Sequence, residues 1–147
     1  MTTLQHSVMI NAPQERVWQV LTNLEEVANY NKMVKAAKCI SENKTGVGSS
    51  RQCEIDKGHI KERVTAVNEG QSLSMELYES NWPLKFMRWT TEVSQSGDAT
   101  LMKQVTEYEP GMGFMGKIMN ALLMKRKFSK ILDDLFTDMK QYIESKQ

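Results

Sequence analysis

Residues 124–143 read MKRKFSKILDDLFTDMKQYI. Met124, Phe128, Ile131, Leu132, Leu135, Met139, Tyr142 and Ile143 recur there at spacings of three and four, while Lys127, Lys130, Asp133, Asp134 and Lys140 fall mostly off that stripe. This is the period of an amphipathic helix. The helical pattern begins after Pro110-Gly111-Met112-Gly113 and continues to the end, so the helix could exceed roughly 25 residues, which is long for a globular domain. Such a stripe must be buried, and a sheet with one apolar face is the economical partner.

The upstream segments supply that sheet. Leu4 to Ile10 reads as a first strand, followed by Asn11-Ala12-Pro13, with Asn11 a candidate cap and Pro13 suited to the first turn of a helix. That helix runs to about Asn23, with Val17, Leu21 and Leu24 on one face and Trp18 beside them. A second short helix, from Leu24 to about Asn31, follows a corner placed at Thr22-Asn23. From Val34 onward, breaks at Asn43-Lys44-Thr45-Gly46, Asp56-Lys57-Gly58, Asn68-Glu69-Gly70, Asn81-Trp82-Pro83 and Ser96-Gly97-Asp98 separate short alternating segments. This spacing predicts a meander of antiparallel strands. One face carries Ile60, Glu62, Val64 and Ala66, then Leu73, Met75 and Leu77, then Met87, Trp89, Thr91 and Val93. On the last strand, Ala99 to Glu109, Met102, Gln104, Thr106 and Tyr108 compete with Leu101, Lys103, Val105 and Glu107. The first set is assigned inward because the second would bury two charges.

Composition narrows the function. The 147 residues carry 19 Lys+Arg against 18 Asp+Glu, a net charge of +1, and 40% are hydrophobic. A dedicated nucleic-acid binder would carry a basic excess, and a disordered chain would be less apolar. No linker or repeat interrupts the chain, so residues 1–147 are expected to form one domain. No window approaches the ~20 apolar residues that span a bilayer, and the N-terminus has neither a basic start nor an apolar core, which predicts a cytoplasmic protein. Cys39 and Cys53 make no disulfide framework. With His6 and His59 they show no metal-ligand spacing, so neither a metal nor a cofactor is expected. Gly46-Val47-Gly48 lacks the lysine and following helix of a phosphate loop and reads as a hairpin or entrance loop. No nucleophile elbow of the G-x-S-x-G kind occurs.

Several local patterns carry a resemblance. They are Ile10-Asn11-Ala12-Pro13-Gln14-Glu15-Arg16-Val17-Trp18 after the first strand, Gly46-Val47-Gly48-Ser49-Ser50-Arg51, Glu62-Arg63-Val64, and the long final helix. Together with the element order they resemble the START-related, Bet v 1-like (SRPBCC) superfamily, in its polyketide cyclase/dehydrase and lipid-transfer branch. The likeness covers essentially the whole chain. It implies an α+β helix-grip fold, in which a curved antiparallel sheet of about seven strands wraps around the C-terminal helix, with two short helices after strand 1. It further implies a cavity between sheet and helix, used in such proteins for lipids, sterols, polyketides, plant hormones or aromatic intermediates.

Against that expectation the 11 methionines have two readings. Methionine fills irregular apolar space, whether in a core or in an adaptable pocket. Met75, Met87 and Met102 fall on the inward face, and Met112, Met115, Met119 and Met124 gather at the start of the final helix; Trp89 and Phe128 share the ambiguity. Buried charge is more telling. Glu62 lies between Ile60 and Val64, and Arg51 is in phase with Cys53 and Ile55. A turn at Asp56-Lys57-Gly58-His59 would set Ile55 opposite Ile60 and Arg51 opposite Val64, leaving Arg51 and Glu62 as diagonal neighbours. They form either an internal salt bridge or an anchor for the polar end of an apolar ligand, a role Gln104 and Tyr108 could share. Cys53 reads as a small buried apolar residue. The candidate ligand-contacting set is Arg51, Cys53, Glu62, Met75, Met87, Trp89, Met102, Gln104, Tyr108, Met115, Met119 and Phe128. In an enzyme, Glu62 with Tyr108 or His59 would move a proton.

No acid occurs from Pro110 to Leu132, where Lys117, Lys125, Arg126, Lys127 and Lys130 interleave with Phe114, Met115, Ile118, Met119, Leu122 and Leu123. Residues 114–130 are either a solvated helix face or a transient contact with an anionic membrane surface. The leading expectation is a non-catalytic carrier or sensor of a hydrophobic small molecule, a monomer or weak dimer. The alternatives are a cyclase or dehydratase acting in the same cavity, and a partner-binding domain with a closed core.

Overall fold

The computed structural model describes residues 1–111 and 123–145. Strand β1 (Thr2–Ile10) leads into helix α1 (Gln14–Thr22), a single 3-10 turn (Leu24–Glu26) and the short helix α2 (Val27–Tyr30). There follow β2 (Ala36–Cys39), β3 (Ser50–Ile55), β4 (Gly58–Asn68), β5 (Ser72–Glu79), β6 (Leu84–Ser96), β7 (Ala99–Pro110) and the long helix α3 (Lys125–Ser145). The strands form one curved antiparallel sheet of order β1-β7-β6-β5-β4-β3-β2. The meander runs from β2 to β7, and β1 closes on β7 by a pairing that spans the sequence, with Thr2 opposite Tyr108 and Ile10 opposite Thr100.

Helix α3 lies against β1, α1 and α2, and buries Leu132, Phe136, Met139 and Ile143. The buried stripe thus includes Phe136 besides the Leu132, Met139 and Ile143 expected from the spacing. The corner at Thr22-Asn23 is present: Asn23 adopts extended backbone (φ −81°, ψ 97°), which ends α1. Asn11 does not cap α1. The residue before the helix is Pro13, without a side-chain cap, and the Asn11 backbone N–H instead donates to Glu144 Oε2 of α3 at 2.7 Å. Thr100 Oγ1 holds the Ala12 carbonyl at 2.8 Å, fixing the β1–α1 corner to β7.

The inward set on β7 is the one that spares the charges: Met102, Gln104, Thr106 and Tyr108 are buried, and Lys103 and Glu107 are not. Two registers differ from expectation. A shift between Val64 and Ala66 turns Ala66 to solvent and lets Val67 pack on the core, as a bulge does by adding one residue to one strand. The β3–β4 hairpin is also tighter than predicted. Ile55 pairs with Gly58 and Cys53 with Ile60, so Arg51 stands directly opposite Glu62. Gly58 makes this possible with φ +118°, a backbone region that residues with a Cβ rarely adopt.

Candidate functional site

Between the concave face of the sheet and α3 lies a cavity of about 670 Å³. Its sheet wall is Arg51, Ile55, Ile60, Glu62, Met75, Leu77, Met87, Trp89, Thr91, Met102 and Gln104. Helix α3 contributes Phe128, Ile131, Leu132, Leu135, Phe136 and Met139, and the end of α1 with α2 contributes Leu21, Val27 and Tyr30. The period-two alternation of the strands explains the first group and the apolar stripe of α3 the second. Met33 and Leu123 line the cavity yet are 40% and 68% exposed, so its mouth lies where the loop after α2 faces Leu123, just before α3. Lys127 stands at the same edge.

Inside an otherwise apolar wall sit two polar groups of residues. Arg51 and Glu62 are only 7% and 9% exposed. Arg51 Nε donates to Glu62 Oε1 at 2.8 Å, and Nη1 donates to the Leu24 carbonyl at 3.2 Å, tying the helical corner to the sheet. Cys53 Sγ lies 3.9 Å from the same Oε1. Burial works against the arginine charge and is the largest single influence, but Glu62, Tyr30 and Cys53 together outweigh it, Glu62 foremost, and raise the guanidinium pKa above its ordinary value. Burial pushes the Cys53 thiol up to about 12, with the Glu62 carboxylate adding to the shift, so this cysteine is no nucleophile. The Tyr30 phenol is likewise raised to about 12 by burial. On β6 and β7, Thr91 pairs with Gln104; Thr91 Oγ1 donates to Gln104 Oε1 at 2.9 Å, and Gln104 Nε2 donates to Thr106 Oγ1 at 3.1 Å.

The cavity thus brings together Arg51, Glu62, Met75, Met87, Trp89, Met102, Gln104 and Phe128 of the expected set. Cys53 is buried behind Glu62 rather than in the wall. Tyr108 is fully buried in a separate cluster with Leu4 and Leu132, its ring edge-on to Phe128 at 5.0 Å, and does not line the cavity. His59 points the other way, pairing with Glu79 Oε2 at 2.8 Å, because its odd position places it on the outer face of β4. Neither acid–base partner proposed for Glu62 therefore reaches it through the cavity. Met115, Met119 and most of the basic segment 114–130 lie outside the described residues. Sequence reasoning missed Tyr30, Val34, Trp82 and Pro83, which come from loops and short helices without a readable period. Among the described residues there is no group of three His, Cys, Asp or Glu side chains placed to hold a metal ion, and no helix is long and apolar enough to cross a membrane.

A curved sheet gripping a long helix around an apolar cavity defines a helix-grip protein. The family model described as "Polyketide cyclase / dehydrase and lipid transport" matches residues 1–144, and the chain belongs to that family. It is a hydrophobic-ligand-binding fold. Among solved structures, a protein of Thermus thermophilus superposes with a TM-score of 0.81 at 14% identity, covering 99% of each chain. XoxI of Bacillus cereus gives 0.76 at 17% identity, covering 97% of this chain and 96% of its own. A protein of Nitrosospira multiformis gives 0.73 at 17%, covering 99% and 100%. At these identities the likeness is one of fold. No curated protein sequence matches the chain.

Proposed function

We propose that the protein carries or senses one hydrophobic small molecule, a lipid, quinone, polyketide or aromatic compound, without transforming it. The observation that supports this is the cavity of about 670 Å³, apolar apart from a few buried polar side chains, within the range of pockets that enclose a drug-sized ligand. The polar residues fix orientation and the methionines and aromatics supply adaptable contact. Membrane contact at the cavity mouth fits the exposed Leu123 and Met33 beside Lys127, where a ligand would pass between bilayer and protein.

The test is organic extraction of the purified protein followed by mass spectrometry. A stoichiometric apolar compound supports the carrier; a protein that is empty and takes up no apolar probe refutes it. The cyclase or dehydratase reading keeps one favourable observation, a carboxylate at the cavity wall, and lacks His59 and Tyr108 as its partners. It predicts turnover of the extracted compound that Glu62→Gln abolishes. Unchanged recovery of that compound after incubation with the protein excludes it.

A further inference from the structure

The Arg51–Glu62 pair is incompletely used. Arginine offers five N–H donors and a carboxylate two acceptor oxygens. Here Nε serves Glu62 Oε1 and Nη1 serves the Leu24 carbonyl, and Cys53 Sγ approaches the same Oε1. Arg51 Nη2 and Glu62 Oε2 have no hydrogen-bond partner among the described residues, although both residues line the cavity. Gln104 already uses each end of its amide once, on Thr91 and Thr106, and keeps one N–H in reserve. Arg51 and Glu62 thus leave a donor and an acceptor together at one place in the cavity wall, beside the buried Tyr30 phenol.

Resting on the carrier reading above, we infer that the ligand is an apolar molecule ending in an uncharged group that both accepts and donates a hydrogen bond, such as a phenol or alcohol hydroxyl. Its oxygen accepts from Arg51 Nη2 and its O–H donates to Glu62 Oε2. The charge balance selects against the other common heads. Arg51 is already neutralised by Glu62 at 2.8 Å. A carboxylate or phosphate head would add a second anion beside Glu62, and an ammonium a second cation beside Arg51. Either leaves an unbalanced charge in an apolar enclosure, which is costly. A pure hydrocarbon leaves both polar groups unfilled.

The experiment titrates the full chain with four probes of one shape, naphthol, naphthoate, naphthylmethylammonium and naphthalene, at neutral pH. Trp82 and Trp89 line the cavity and report occupancy by fluorescence, with calorimetry as a check. Naphthol is expected to bind at least about tenfold more tightly than the other three. In the double variant Arg51→Met with Glu62→Leu, that preference over naphthalene is expected to vanish while naphthalene still binds. Naphthoate or naphthylmethylammonium equal to naphthol overturns the proposal, as does a preference that survives in the double variant. The wild-type comparison decides the point even if the variant does not fold. Binding of naphthalene without preference overturns the head-group assignment alone, whereas binding of none of the four overturns the carrier reading with it.

Discussion

Arg51 and Glu62 neutralise each other's charge at 2.8 Å inside the molecule, and the cost of burying them appears when one partner is removed. Glu62→Gln leaves a guanidinium buried without a counter-charge and is expected to lower stability by about 3–5 kcal/mol. The double variant Arg51→Met with Glu62→Leu should lose much less, because no buried charge remains. Urea denaturation at neutral pH compares the two; equal losses would show that the pair carries no coupling. Cys53 and Tyr30 make a second prediction. The unfolded thiol releases its proton near 9.0, while the folded one keeps it to about 12. Over that window the unfolded state binds fewer protons, so stability falls as pH rises, by up to about 1.4 kcal/mol per pH unit for the group. Tyr30, raised from 10.0 to about 12, adds its share at the upper end. Denaturation midpoints measured from pH 8 upward should therefore decline, and Cys53→Ala should remove the early part of that decline. An identical decline in the variant would rule Cys53 out as its source. The inward phase of both charged residues was legible in the strand alternation. Their face-to-face pairing was not, because it depends on a turn geometry tighter than composition alone suggested.

That turn belongs to the element scale. Gly58 takes φ +118°, and a Cβ there would meet nothing nearer than Asn81 Nδ2 at 4.0 Å. Gly58→Ala is thus strained by its backbone and not by a clash, and is expected to cost about 1–2 kcal/mol. Because the same turn sets Arg51 opposite Glu62, the variant should also weaken ligand binding. Thermal unfolding and a probe titration check the two effects together; an unchanged melting temperature would show that the hairpin is not held by that glycine. The strands, the breaks between them and the stripe of α3 were readable because each is a local period or local turn chemistry. The bulge at Val64 and Ala66 was not, since an extra residue in one strand is imposed by its partner and leaves no mark in the strand's own alternation.

At the scale of the whole molecule, a cavity of about 670 Å³ is apolar volume the fold leaves unpacked, so a bound ligand should contribute to stability. A ligand at about one hundred times its Kd adds about 2.7 kcal/mol. Protein unfolded in guanidinium, freed of extracted material and refolded should melt at a lower temperature than protein as purified, and regain the difference when the extract is returned. Equal melting temperatures for the two preparations would show that nothing stabilising had been bound.

The sequence by itself determined the order of sheet and helix elements and the inward side of β3 to β7, save beyond the bulge at Ala66, because alternation and helical spacing are local and repeat. Only the tertiary structure decided which inward residues meet open space. Gln104 and Tyr108 lie on one face of β7, yet Gln104 lines the cavity and Tyr108 is sealed among Leu4, Leu132 and Phe128. What separates them is where α3 presses on the sheet. The cavity is the gap that this packing leaves, a difference between two surfaces that no single stretch of chain encodes.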